Sequence, residues 1–352
     1  METYDVLVVG AGPAGATCAQ RLAETGLKTL LIDKKRLPRY KTCSGLIVPD
    51  ALRFLEEHFG PIPAEAYAKP KELKGVNIIQ ADQVRRELAV SAHNVWRGPF
   101  DHWLARSSKT EIRDRCSFLH LSEEESSLRV RLLSRGSAFE LETRYLVGAD
   151  GGPSQMRDAL SPSFKNEIGW IFAYQVHYRY DQESIELDPY YFYAFLDQNF
   201  SQFFAWANFK DDHLILGTSV RRGADIYAYY SAFVEHMRQA YGFVPKGVEH
   251  KSGCFLNDMA LRGKFHLGRG RVLLAGEAAG FLNMLGEGIS SALSTGYLAG
   301  EAIVQGMTSG RAAWPIYAEL VEGEKRRTQL SQTLARRAGV KLGIPSDIAS
   351  SE

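Results

Sequence analysis

The stretch Asp5-Val-Leu-Val-Val-Gly10-Ala-Gly12-Pro13-Ala14-Gly15, with Lys28-Thr-Leu-Leu-Ile-Asp33 behind it, decides the fold. Val6–Val9 is a continuous apolar run, the signature of a strand buried on both faces of a parallel sheet. Gly10, Gly12 and Gly15 follow at once in G-x-G-x-x-G spacing. Residues 14–25 read as a helix closed by Gly26, and residues 28–32 as a second strand ending in Asp33. The three glycines serve a tight turn, close backbone approach to a pyrophosphate, and close helix–strand packing. The helix start then offers N–H groups and a positive dipole end to phosphate, with Pro13 and Ala14 in its first turn. Asp33 lies eighteen residues past Gly15, placed to hydrogen-bond an adenosine ribose. An acid there suits an unphosphorylated 2′-hydroxyl, hence FAD or NAD. Strand, glycines, helix, strand and acid in this order predict a Rossmann-type α/β dinucleotide site.

Outward from this stretch, the chain has room for more than one lobe. It has 352 residues, 45% hydrophobic and 24% charged, with a formal net charge of +1. Nothing global points to nucleic acid, and no apolar run reaches the ~18 residues that cross a bilayer. The first residues read as a core strand, without a basic start or a cleavage site, so no signal peptide is expected. Cys18, Cys43, Cys116 and Cys254 lie far apart with no C-x-x-C, so neither an iron–sulfur cluster nor a metal site is expected. Reduced thiols in the cytoplasm are the simplest expectation.

After Asp33, five of eight residues are basic: Lys34, Lys35, Arg36, Arg39 and Lys41. They read as a solvated loop, or as a patch facing pyrophosphate or an acidic lipid surface. Cys43-Ser44-Gly45-Leu46 is a small-residue turn beside a thiol, suited to lie against a flat ring. Residues 49–59 predict a helix. Arg97 stands just before a short helix at Phe100-Asp101-His-Trp-Leu104. Residues 117–121, 127–133 and 139–147 alternate as an antiparallel meander that ends in Gly148-Ala-Asp150-Gly151. Residues 166–220 are β-rich and aromatic, able to wall an apolar pocket in which Tyr174, His177 and Trp206 are candidates. Residues 226–241 predict an amphipathic helix. Gly270-Arg-Val-Leu-Leu-Ala275 is another buried strand; it leads to Gly276-Glu277-Ala-Ala-Gly280-Phe281 and Gly286-Glu287-Gly288-Ile289, which open a helix with small residues on one face. A last helix is expected at about 315–337, with basic residues from Lys325 to Lys341.

Four pieces line up: Gly10-x-Gly12-x-x-Gly15 with Asp33; Arg97 before Asp101; Gly148-Ala-Asp150-Gly151-x-x-Ser154-x-x-Arg157; and Gly276-Glu277 with Gly286–Ile289. Together, over about residues 1–305, the chain resembles the FAD-dependent superfamily with the aromatic-hydroxylase fold. That superfamily includes group A monooxygenases, halogenases and geranylgeranyl reductases. Lys41-x-Cys43-Ser44-Gly45-Leu46 is similar to the Lys-x-Cys-Gly-Gly-Leu stretch of the geranylgeranyl reductase branch. Phe204-Ala-Trp206 sits where those reductases carry an aromatic-x-Trp segment, and the Trp-x-Trp-x-Ile-Pro pattern of halogenases is missing. Three residues depart from the pattern: Glu277 stands for Asp, Ser44 for Gly, and Met284 near a usual Pro.

The resemblance implies an α/β (α+β) fold: a Rossmann-type FAD-binding domain with an inserted antiparallel β-sheet substrate domain, aromatic-hydroxylase-like. Its parts are expected at 1–75, 97–165 and 262–310 for FAD, 76–96 and 166–261 for substrate, and 311–352 for a helical tail. It implies FAD as cofactor, held by Gly10, Gly12, Pro13, Ala14, Gly15, Asp33, Lys34, the Cys43-Ser44-Gly45 loop, Arg97, Asp150, Glu277 and the Gly286-Glu287-Gly288-Ile289 turn. Asp150 and Arg157 would chiefly tie the post-meander turn to the cofactor fold. The N–H groups of Gly286–Ile289 would face the flavin N1/C2 edge. Cys43 and Trp206 are the candidate catalytic residues. The expected reaction is reduction of carbon–carbon double bonds in an isoprenoid or other apolar substrate. Hydroxylation of an aromatic or polyketide-like substrate, and electron carriage to a protein partner, are the alternatives. NADPH is open as a transient reductant, since the lack of a second G-x-G-x-x-G neither excludes nor supports it. The basic segments Lys34–Lys41 and Lys325–Lys341 suggest peripheral contact with anionic membrane.

Overall fold

The computed structural model describes residues 1–81 and 85–337. The end of the expected tail, with Lys341, lies outside the described residues, as do 82–84 within the expected 76–96 segment.

The opening stretch folds as its pattern demands. Strand Glu2–Val9 enters the turn at Gly10, helix Pro13–Ala23 follows, and strand Thr29–Ile32 returns parallel to the first. The first strand is the centre of an eight-stranded sheet, with Thr29–Ile32 on one side and Ser137–Gly148 on the other. Val9 is level with both Ile32 and Gly148, so three strand ends open on one edge, where ligands of parallel sheets bind. The expected meander forms from Cys116–Glu123, Leu128–Ser134 and Ser137–Gly148. Its last strand serves two sheet regions, antiparallel to Leu128–Ser134 and parallel to Glu2–Val9. Val272–Leu274 completes the parallel set beside it.

A seven-stranded sheet holds the aromatic segment. Its order runs Pro245–Asn257, Trp170–Tyr180, His213–Arg221, Ala205–Lys210, Tyr191–Leu196, Gly75–Gln80, Arg85–Leu88. It is antiparallel except where Tyr191–Leu196 runs parallel to Gly75–Gln80. More than a hundred residues separate those two strands, so no hairpin joins them and antiparallel pairing is not imposed. Helix Ile226–Tyr241, capped by Asp225 and ended by Gly242 in the left-handed region, covers one face. Side-chain alternation sends Tyr174, Val176, Tyr193, Phe195, Phe209, Leu214 and Leu216 into the core beneath it. Tyr174 stacks edge-on to Tyr230 at 5.0 Å. The expectation that Tyr174 lines the pocket is therefore corrected: period-two geometry puts it on the opposite face from Ala173, Gln175 and His177.

A third, three-stranded sheet joins Leu46–Ile47, Ala92–Val95 and Tyr67–Leu73. The expected tail helix is two helices, Ala313–Leu320 and Glu322–Arg337, broken at Val321.

Helix Ile289–Ser309 packs along helix Pro13–Ala23. A methyl at Gly296 would run into the Ala14 backbone, and one at Gly300 into Cys18 and Arg21. Since 296 meets 14 and 300 meets 18–21, the helices run parallel. The later helix starts six residues, about 9 Å, further out than the earlier one.

Candidate active site

The site starts at the glycine turn. Gly10 has φ +108°, a conformation that L side chains avoid, and a Cβ there would strike Ala149 O. At Gly15 a Cβ would strike Gly10 O. Gly12 differs: the one heavy atom near its missing methyl is Arg39 Nη2 at 3.5 Å. Helix Pro13–Ala23 has no capping side chain at Gly12 and no acid in its first turn. An open glycine, a bare helix start and a guanidinium over it form a cradle for a pyrophosphate. This donor set fits the ADP half of a dinucleotide.

Asp33 is buried and turned into the turn itself. Its Oδ2 accepts from Ala11 N at 3.1 Å and from Arg39 Nε at 2.9 Å, and its Oδ1 accepts from Lys35 N at 2.8 Å. Arg39 also donates from Nη1 to Asp101 Oδ2 at 2.9 Å. Arg97 is the first residue of helix Arg97–Ser107, inside it rather than before it. It grips Asp101 with both arms, at 2.7 and 2.9 Å. Burial opposes its charge, while Asp101 and then the Cys43 sulfur hold it strongly protonated. Asp101 thus carries two arginines, one shared with Asp33 and one toward the Cys43 loop. Arg39 was read only as part of a basic stretch. Its signal was the acidic pair Asp33 and Asp101, which needs a bridging cation once both are buried.

In the Cys43 loop, Cys43 Sγ accepts from Gly45 N at 3.3 Å. Gly45 has φ +69°, and a methyl there would strike Val95 O and approach Lys210 Nζ. The Lys210 amine is fully buried, donates to Val95 O and lies 4.8 Å from the Trp96 ring. Burial pushes it down to about 7, against the pull of Cys43 and Asp211. Asn208 Nδ2 donates to Ser44 O at 3.1 Å. Sheet and loop are therefore stitched together. Lys34 is exposed, away from this stitching.

The sheet face toward the loop reads as cross-strand rows. One row is Ser252, Gln175, Gly217, Trp206, Ala194 and Ile78. The indole of Trp206 lies over Gly217, where a methyl would meet the six-membered ring. Leu73, Ala173, Phe192, Ala194 and Trp206 form an apolar wall, joined by Leu46, Phe204, Cys254 and Leu256. Beside it sits a polar network. Tyr40 Oη takes Gln175 Nε2 at 2.8 Å, meets Ser252 Oγ at 3.0 Å, and lies 3.2 Å from His177 Nε2. Burial and then the neighbouring His250, His213 and Lys210 lower His177 to about 4, so it is neutral near pH 7. Trp206 Nε1 and Gln175 Oε1 on this face are buried without a partner among the described residues, which marks polar positions a ligand can satisfy.

Asp150 braces the start of helix Gln155–Leu160, whose cap is Ser154, accepting from Ser154 Oγ at 2.6 Å and Met156 N at 3.2 Å. Burial raises its carboxyl above the usual range. Arg157 is fully buried, donating to Gly152 O and Ala278 O. It ties the meander end to the Glu277 turn. Glu277 lies against Gly152, with Oε1 buried and without a close hydrogen-bond partner among the described residues, and burial raises its carboxyl against the opposing pull of Lys41 and the Asn257 and Gly152 backbone. This orphaned acceptor fits a hydroxyl of a ribityl chain, reached across the extra methylene that Glu has over Asp.

Residues Asn283–Glu287 close on themselves. Gly286 N donates to Asn283 O, and Glu287 N to Asn283 Oδ1, both at 3.0 Å. Two of the four N–H groups expected to face a ligand are thus taken by Asn283. Glu287 Oε1 then accepts from Ser290 N at 2.8 Å and Ser290 Oγ at 3.0 Å, at the start of helix Ile289–Ser309.

The comparisons bear on the family and the fold. Residues 3–303 match the profile of a family described as "FAD binding domain". Protein CbrA of Escherichia coli (strain K12) is 28% identical over 303 residues, 84% of this chain and 82% of CbrA. A geranylgeranyl bacteriochlorophyll reductase-like structure from Thermoplasma acidophilum superposes with TM-score 0.82 at 21% identity, covering 99% of this chain and 90% of that one. The p-nitrophenol 4-monooxygenase PnpA from Pseudomonas putida DLL-E4 superposes with TM-score 0.75 at 14% identity, covering 98% and 91%. Both structural likenesses speak to fold.

Proposed function

The chain belongs to the FAD binding domain family and is an FAD-dependent oxidoreductase, and from that premise we propose that it reduces carbon–carbon double bonds of an isoprenoid or other apolar substrate. The observation that carries this reading is the apolar wall of Leu73, Phe192, Ala194 and Trp206, continuous with Leu46 of the Cys43 loop. The likeness to a reductase-like structure supports it. Arg39 and the bare start of helix Pro13–Ala23 would hold the pyrophosphate, and Glu277 the ribityl chain. Bound FAD supplies the hydride from its reduced ring. The Trp206 wall would orient the substrate and exclude water, and the Cys43 loop would shape the reacting face. A proton must follow the hydride, and the Cys43 thiol or the Tyr40 hydroxyl would hold it. NADPH is proposed as the transient reductant.

The polar network of Tyr40, Gln175 and His177 favours a second reading, hydroxylation of an aromatic or polyketide-like substrate, whose oxygen would dock there. One experiment separates the two. The protein is reduced anaerobically and offered prenyl compounds or air. Reoxidation by a prenyl compound, with slow reoxidation in air, supports the reductase. Rapid oxygen consumption with substrate hydroxylation sinks it. If only a protein partner accepts the electrons, both fail and electron carriage stands. Bleaching of the flavin spectrum by NADPH tests the reductant. Among the described residues no helix is long and apolar enough to cross a membrane. Peripheral contact is proposed through exposed Lys34, Lys35 and Arg36, and absence of binding to anionic vesicles at low salt would refute it.

A further inference from the structure

Two helix starts lie on the cofactor side of this fold, and they are built oppositely. That of Pro13–Ala23 has no capping side chain and no acid in its first turn. That of Ile289–Ser309 is closed by a carboxylate, since Glu287 Oε1 accepts both the Ser290 N–H and the Ser290 hydroxyl. A second acid sits one residue further along: Ser291 Oγ donates to the buried Glu324 Oε1 at 2.6 Å. The cation facing these acids is Arg327, whose charge is shared between Glu324 and Asp50.

The two helices run parallel, and the later one projects about 9 Å beyond the earlier. A dinucleotide held with its pyrophosphate at the first start and extended past Glu277 would bring its flavin end toward the second. A helix start carries roughly half a positive charge, which would favour negative charge on a reduced ring. Here the Glu287 carboxyl, pushed up by burial and pulled back by its two Ser290 hydrogen bonds, is set against that half charge.

We propose that Glu287 is a positioning residue that offsets the positive start of helix Ile289–Ser309 and so holds the reduction potential of the bound FAD low. The inference rests on the FAD reading of the site and is independent of the choice between alkene reduction and hydroxylation. A low potential makes the reduced cofactor a stronger hydride donor, as an unactivated double bond requires. A carboxylate that merely capped the helix would leave the potential unmoved.

The test is a spectroelectrochemical titration of the holoprotein. Glu287→Gln keeps an oxygen that can accept from Ser290 and removes the charge alone. It is expected to stabilise the reduced form about tenfold, a rise of about 30 mV for a two-electron couple. An unchanged or lowered potential in a variant with normal flavin content overturns the proposal. The wild type gives a second reading that needs no variant: its potential is expected at or below that of free FAD in the same buffer. A value well above free FAD overturns the proposal. Wild-type protein that binds no FAD overturns the cofactor reading and this inference together, a result distinct from FAD bound at unchanged potential.

Discussion

Arg39 Nε lies 2.9 Å from Asp33 Oδ2, and the same guanidinium reaches Asp101 with its other arm at 2.9 Å. The acid of the dinucleotide fingerprint is thereby tied to a helix almost seventy residues later. Both carboxylates are nearly inaccessible, so neither can be left unpaired cheaply. Arg39→Ala is expected to cost about 3 kcal/mol of stability and most of the flavin content. Arg39→Lys should recover little, because one ammonium cannot span two acids. Thermal melts and the ratio of flavin to protein absorbance check this; a variant with normal flavin content and melting temperature refutes it.

Gly296 lets helix Ile289–Ser309 lie on the Ala14 backbone. Gly296→Ala should force the helices apart at a cost of about 1–3 kcal/mol. Because both helix starts face the cofactor side, FAD affinity should fall too. Flavin release followed by fluorescence, beside a denaturant melt, reads both effects. Loss of neither contradicts the packing described.

Gly217 gives its space to the Trp206 indole. Gly217→Ala is expected to displace the indole and reshape the pocket wall while FAD stays bound. The expected pattern is KM for an apolar substrate raised several-fold with flavin content unchanged. A substrate KM equal to that of the wild type would remove Trp206 from the pocket wall.

His177 supplies a pH dependence. It is buried, and its folded value is lowered to about 4 from the ordinary 6.5. Between those values the unfolded chain binds the extra proton, so stability falls as pH drops from 6.5 towards 4. The loss approaches about 3 kcal/mol below pH 4. His177→Gln should flatten this acid limb and leave stability above pH 7 little changed. Urea midpoints at pH 7, 6, 5 and 4 test it; parallel curves for wild type and variant would show that His177 does not titrate in this window.

Much of this protein was legible as sequence because its signals are local. The glycine turn, the meander and helix Ile226–Tyr241 follow from spacing, alternation and caps within a few residues of each other. Period-two alternation in Trp170–Tyr180 even held the information that Tyr174 faces away from His177. The break at Val321 was not legible, since residues on both sides of it read as helix.

What the sequence determined by itself was the dinucleotide fold, because a strand, three glycines and an acid in fixed spacing leave the backbone few other solutions. What only the tertiary structure decided was how the charges pair. Arg39 meets Asp101, 62 residues away along the chain, and the buried Lys210 amine meets Val95 O across 115. Burial makes those pairings obligatory, and burial is set by which distant elements pack together. A residue's neighbours along the chain carry no record of that.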